Sequence, residues 1–354
     1  MTLDWLRRKL WDLESKAKAL QPPESSLFWL LVLVIPPVVI LSTHVWLRTA
    51  YTSGVFDLRG FLNQYDHGIY RYRLLGRETL LFIYRHLAAL RPDRHLAMPR
   101  GPDGSLLFYA SYVLLDSICF SISNLLLLVL LANRKKHLPE TSLATYFFLI
   151  LVQALAMAVL TPYDQLAYMF LLASLLVSTQ RIPWVAYLLV ALAAILGTLT
   201  RETQFLVTSA MFTAALFCAG DRGRRLWKTG TLNLVVFGLV YAILRLEVPG
   251  AKDVTGGSTV GGKWAVASFL VLTLLFCIST LLAIRIHAKI GPSIVLLVLS
   301  IPYILPILAS GILRELRLLV PILLAQTFVY VTLRLNSEEE RQEKQLRRAS
   351  ELAS

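Results

Sequence analysis

A chain of 354 residues that is 56% apolar and only 16% charged, with mean hydropathy +0.63, carries more apolar surface than a soluble domain of this size can hide. A water-soluble globular protein is thereby excluded, and the chain reads as an all-α polytopic membrane protein. The net charge of +13 sits mostly in short connections between apolar runs, so it implies no nucleic-acid partner.

In chain order, the first predicted element is an amphipathic helix over 3–20. Leu3, Leu6, Leu10, Leu13, Ala17 and Leu20 share one stripe, and Arg7, Arg8, Lys9, Lys16 and Lys18 cover much of the rest. Such a helix lies on an anionic membrane surface, so residues 1–26 form a cytoplasmic interfacial segment. Pro22 and Pro23 then turn the chain into the first span.

Apolar runs of roughly 17–25 residues mark transmembrane helices. Ten are expected, at about 27–47, 106–131, 142–160, 164–178, 183–199, 203–219, 231–245, 265–284, 292–309 and 316–334. Alternate connections are basic: NRKKH (133–137), TQR (179–181), DRGRRLWK (221–228) and RIHAK (285–289). Basic short loops stay in the cytoplasm, which gives an N-in, C-in topology within a transmembrane domain of 27–335. The tail 336–354 is then cytoplasmic, as a solvated polar helix or a disordered segment.

Between the first two spans lies a long external loop, 48–105, rich in arginine against the usual bias. Long segments translocate largely regardless of charge, so the topology survives. Leu58, Phe61 and Leu62 suggest a short amphipathic helix, and Leu74, Leu75, Leu81, Phe82 and Leu87 a second, both lying on the outer membrane face. The stretch 91–104 is turn-rich and leads back to the second span. GGSTVGG (256–262) lacks the Gly-Lys-Ser/Thr ending of a phosphate loop and reads as a linker or lid. Cys119, Cys218 and Cys277 fall in predicted spans without ligand spacing, as small buried hydrophobes. Asp116, inside the second span, reads as a partner in an interhelical hydrogen bond.

Charges gather at the outer span ends. The long loop contributes Asp57, Asp66, Tyr70, Arg71, Arg73 and Arg77. The turns contribute Tyr163 with Asp164, Arg201 with Glu202, and Arg314 with Glu315 and Arg317. Ionisable groups at the hydrocarbon boundary cost several kcal/mol unless they face a polar cavity or each other, as intramembrane charges do. A shared wet cavity near the outer leaflet follows. Guanidinium forks hold phosphate oxygens, and a carboxylate takes a proton from an attacking hydroxyl. Arginines aimed at a leaving phosphate stabilise the charge that develops there. The set suits glycosyl transfer from a polyprenyl-phosphate sugar.

FDLRGFL followed by YRYRLLGR, with LTRETQFL later and RELRLLVP near the end, resembles the GT-C superfamily of membrane glycosyltransferases, in a bacterial branch with a "YDG-F-Y … YR-R-L-P" opening and an "R-E-T" segment. The resemblance implies a cytoplasmic-membrane enzyme with an exterior active site. It would invert the sugar during transfer to a glycan, lipid or protein acceptor. Asp57 matches the family's early aspartate, the candidate base; Arg71 and Arg73 match its arginine pair; Arg201 and Glu202 match its mid-chain pair. Phe56 stands where a tyrosine is usual and Gly76 where a proline is common. Asp66, in a Tyr-Asp-His-Gly turn, is the alternative base. Arg71, Arg73, Arg77, Arg201, Arg314 and Arg317 are expected to hold the donor phosphate, with Tyr70, Tyr163, Asp164, Glu202 and Glu315 in support. No cofactor is implied and no metal is named, although Asp164 has the chemistry to orient an acceptor or a cation.

Two other classes compete. An O-antigen-type polymerase or ligase also uses external arginines, but on lipid diphosphates and with a late long loop. A transporter or scaffold subunit needs no such charge set; a transporter would show repeats and broken midplane helices, whereas here the polar residues lie mostly at span ends and no repeat is seen.

Overall fold

Long apolar runs leave the backbone few ways to satisfy its N–H and C=O groups away from water, and the helix is the local one. The computed structural model describes residues 34–46, 58, 61–62, 71–90, 106–132, 140–156, 161, 163–180, 182–247, 290–309 and 316–353. Among the described residues there is no strand. The helices are α1 (Ile35–Trp46), α2 (Leu74–Leu90), α3 (Leu106–Ala132), α4 (Glu140–Ala156), α5 (Asp164–Ser178), α6 (Pro183–Thr200), α7 (Phe205–Phe217), α8 (Gly220–Glu247), α9 (Gly291–Leu299), α10 (Ile301–Ala309) and α11 (Val320–Ala353). Short 3-10 turns at Glu202–Gln204 and Leu316–Leu318 precede α7 and α11. The helix expected over 3–20, the span expected at 265–284, the 91–104 and 256–262 stretches and Cys277 lie outside the described residues.

The long helix α11 supplies the centre. Every residue from Val320 to Leu333 is buried, so this half is apolar nearly all round, as a helix enclosed by others must be. It packs on α4, α5 and α7. The main core gathers Phe120, Leu127, Tyr146, Leu171, Leu206, Met211, Leu324 and Phe328 around it. A second core sits under α2, where Phe61, Leu80 and Leu81 meet Phe108, Tyr112, Leu115 and Tyr163. Thus α2 packs on α3 and α6, with Phe82 turned outward at 59% exposure.

Two boundaries differ from expectation. The basic stretch 221–228, read as a connection, is the first part of α8. Arg, Leu, Trp and Lys continue a helix readily, and two glycines make the reversal out of α7. Gly220 takes the left-handed φ of +66°, and a Cβ on Gly223 would meet the Cys218 carbonyl oxygen at 2.2 Å. The run 292–309 breaks at Ser300 into α9 and α10 because Pro302 has no N–H to offer the preceding turn. Of the two forms expected for the tail, it takes the polar helix: α11 continues to Ala353, laced by Arg334–Glu338 and Asn336–Glu340 pairs.

Two helices, Leu107–Ala132 and Gly220–Glu247, are long and apolar enough to cross a membrane. Large apolar side chains on the outside include Leu151, Trp184, Leu188, Leu192, Leu239 and Ile243, each between 50% and 63% exposed. Cys119 and Cys218 are buried free thiols. Asp116 lies buried in α3, and its Oδ1 has no hydrogen-bond partner, so the expected interhelical bond at that atom is not made.

Candidate functional site

Helix ends are where a chain can place charge beside a hydrophobic bundle, because the termini carry unpaired backbone dipoles. Five such places meet here: the starts of α2, α5, α7 and α11 and the end of α6. Asp164 opens α5, where the helix dipole favours a carboxylate. Its Oδ2 accepts from Thr161 Oγ1 at 2.5 Å and from Arg317 Nη1 at 3.1 Å. Its Oδ1 faces Arg201 in a second ion pair. All three side chains are under 8% exposed, so Asp164 is the counter-ion that ties two buried guanidinium groups together.

Each arginine is aimed by its local backbone. Arg201 is extended (φ −167°, ψ 156°) between α6 and the 3-10 turn, and its N–H closes on the Gly197 carbonyl at 2.8 Å. This extended link sends Arg201 towards Asp164 and Glu202 the other way, towards α2. Arg317 lies in the other 3-10 turn, which two tyrosines pin. Tyr168 donates to the Arg317 carbonyl at 2.6 Å, and Tyr303 donates to the Leu318 carbonyl at 3.2 Å. Arg73, just before α2, reaches Glu202 at 3.4 Å.

Tyr163 sits at the middle. The guanidinium carbons of Arg73, Arg201 and Arg317 lie 4.2, 5.5 and 6.0 Å from its ring centroid. An aromatic face attracts each cation, and Asp164 and Glu202 offset the repulsion among them. The set of three arginines and two carboxylates keeps one net positive charge.

Glu202 also accepts a short hydrogen bond from Tyr72 Oη. Burial pushes the Glu202 carboxyl up, but Arg73, the Tyr72 hydrogen bond and Arg201 outweigh it and hold the group below its ordinary value. Tyr72 is pushed up to about 12 by burial and then by the Glu202 charge. Glu202 therefore stays ionised and Tyr72 stays a donor at neutral pH.

Of the residues named from sequence, Arg73, Tyr163, Asp164, Arg201, Glu202 and Arg317 are brought together. Arg71 is exposed, and Arg77 pairs with its neighbour Glu78 at 3.6 Å. Asp57, Asp66, Tyr70, Arg314 and Glu315 lie outside the described residues. Sequence reasoning missed Thr161, Tyr168 and Tyr303, which support the arginines, and Tyr72 and Arg245. The Arg245 guanidinium lies 4.2 Å over the Tyr72 ring. No group of three metal-ligating side chains occurs among the described residues.

No protein-family model matches the chain, and neither the curated proteins nor the solved structures contain a match to it.

Proposed function

We propose that this chain is a membrane glycosyltransferase that moves a sugar from a polyprenyl-phosphate donor to an external acceptor hydroxyl with inversion. The observation that carries the reading is the meeting of Arg73, Arg201 and Arg317, from three distant stretches of sequence, around the buried Tyr163 with Asp164 and Glu202 as counter-ions. The apolar exterior of the helices supports a bilayer as their solvent. The setting proposed is a bacterial cytoplasmic membrane, with ten spans, both termini inside and the arginine cluster at the exterior end.

In this reading the acceptor oxygen attacks the anomeric carbon while Asp57 or Asp66 takes its proton. The bond from that carbon to the phosphate oxygen breaks, and the leaving lipid phosphate gains charge. Guanidinium groups already held in place stabilise that charge without reorganising, which is where the catalytic gain lies. Asp164 and Glu202 keep the arginines from repelling one another while the site is empty.

The test supplies purified protein with a polyprenyl-phosphate sugar and an acceptor extract and measures sugar transfer. Arg73→Gln is expected to lower turnover by about 100-fold, the scale of losing one preorganised oxyanion donor. Of Asp57→Asn and Asp66→Asn, the variant that removes the base is expected to abolish transfer. Unchanged transfer in both aspartate variants removes the mechanism. Transfer from lipid diphosphate alone moves the chain to the polymerase or ligase class.

A further inference from the structure

Helix α8 carries Phe237, Tyr241 and Arg245 four residues apart, a spacing that stacks them along one face. Phe237 stacks on Tyr241 with centroids 5.5 Å apart and planes 16° apart. Phe205, the first residue of α7, stands 5.8 Å from Phe237. The Arg245 Nη2 donates to Tyr241 Oη at 2.8 Å, and the same guanidinium covers the Tyr72 ring. Tyr72 in turn donates to Glu202. An aromatic strip therefore runs up the outer helix of the bundle and ends at the arginine cluster.

Arg245 differs from the other three arginines of this region. Each of those sits against a carboxylate, whereas no carboxylate stands within ion-pair distance of Arg245 among the described residues. An arginine that merely escapes a hydrocarbon environment reaches along its stem into water. This one is turned onto Tyr72 and fastened to Tyr241, so its orientation is built. Its surroundings on α8 are apolar and open, with Leu239, Ile243 and Leu246 all more than half exposed.

We propose that Phe237, Tyr241, Arg245 and Tyr72 form a second binding site, which captures a lipid monophosphate arriving sideways along α8. Its phosphate pairs with Arg245 before reaching Arg73, and its apolar chain lies against Phe205 and Phe237. A phosphate is the ligand class because a guanidinium with no carboxylate in direct contact presents a planar fork to its oxygens. A lipid is the source because the strip leading to that fork is aromatic, partly exposed and flanked by the open apolar side chains Leu239, Ile243 and Leu246. The inference rests on the reading of the cluster as a phosphate site and adds a route and a selectivity to it: long-chain phosphate in preference to free phosphate.

The full chain in nanodiscs is titrated with radiolabelled undecaprenyl phosphate, and competition is measured with inorganic phosphate and with the unphosphorylated polyprenol. Arg245→Gln is expected to weaken lipid-phosphate binding by about tenfold, the scale of one charge-assisted hydrogen bond. Phe237→Ala is expected to weaken it by a few-fold through lost chain contact, and Arg245→Lys to restore only part of the affinity. Inorganic phosphate is expected to compete poorly in wild type. Arg245 is exposed and Phe237 partly buried, and monodispersity in detergent checks that the variants fold. If Arg245→Gln and Phe237→Ala bind as wild type while Arg73→Gln does not bind, the α8 site falls and the phosphate cluster stands. Efficient competition by inorganic phosphate overturns the lipid source. Failure of wild type to bind lipid phosphate overturns both readings.

Discussion

A carboxylate between two buried guanidinium groups is worth most when it is taken away. Asp164, Arg201 and Arg317 are each nearly enclosed, so Asp164→Asn leaves two cations without compensation in a place water scarcely reaches. Breaking a buried pair from one side costs about 3–5 kcal/mol. Thermal unfolding in detergent micelles is expected to show a large fall in Tm for Asp164→Asn. Glu78→Gln removes a pair whose acid is 59% exposed and is expected to change stability by less than about 0.5 kcal/mol. Equal melting of the two variants would contradict the counter-ion role. Glu202 and Tyr72 set the pH limits of the same site. The Glu202 carboxyl is held below its ordinary 4.5 in the folded chain, so its stabilisation is complete above that value and is lost as pH falls through the lower folded value. Tyr72 has the opposite sign: raised from 10.0 to about 12, its share is full below pH 10 and fades between those two values. Melting temperature against pH is expected to drop at both ends, and Tyr72→Phe to remove the alkaline limb. These side chains were readable to different degrees. Asp164, Arg201, Glu202 and Arg317 stood out because charge beside apolar runs is costly. Arg245 did not, since a basic residue at a span end is ordinary on its own, and its meaning comes from Tyr72, more than 170 positions earlier in the chain.

The turn carrying Arg201 and Glu202 is held by a polar knot between α5, α6, α7 and α8. Gln204 Nε2 donates to Ser174 Oγ at 2.8 Å and to Asn233 Oδ1 at 3.0 Å, and Asn233 donates to Thr208 Oγ1 at 2.9 Å. Gly197 makes room for it, because a Cβ there would meet Gln204 Oε1 at 2.3 Å. Helix propensity alone favours Gly197→Ala by about 1 kcal/mol. The overlap with an amide whose nitrogen is held by two hydrogen bonds outweighs that gain, since overpacking costs about 1–3 kcal/mol and the displaced donor loses its partners. Gly238 in α8 is the comparison, as nothing lies within 4 Å of the Cβ it lacks. Gly238→Ala is expected to raise Tm and Gly197→Ala to lower it, and the same sign for both would exclude the packing argument. At this scale the sequence read well where apolar periodicity was long. Helices α3, α5 and α6 end within a residue or so of their expected limits. It read poorly where local chemistry competes with pattern. Basic residues 221–228 looked like a loop because they are charged, yet charge does not stop a helix, and the turn was set instead by Gly220 and Gly223. The interruption at Ser300 was signalled by Pro302 but hidden within an apolar run long enough to pass as one span.

The proposed topology requires the two ends of the bundle to see different compartments, and the fold supplies markers for each. At the end opposite the arginine cluster, the start of α8 and the polar extension of α11 meet through Arg222 and Glu339 at 2.6 Å. Arg222 and Arg245 lie 23 residues apart on α8, about 35 Å at 1.5 Å per residue, enough to reach opposite faces of a bilayer core of about 30 Å. The orientation then decides whether a lipid-linked sugar on the outer leaflet can reach Arg73. Single cysteines placed at Arg71 and at Glu340, both exposed, in a chain whose native cysteines are replaced by alanine, separate the alternatives. A membrane-impermeant thiol reagent applied to intact cells is expected to label Arg71→Cys and to spare Glu340→Cys until the membrane is opened. The reverse pattern would put the arginine cluster in the cytosol. An external acceptor would then be out of reach, and the substrate would have to be a phosphate met on the inner leaflet. Labelling of both positions in intact cells would break the argument at its base, because the two ends of α8 could not then be separated by lipid.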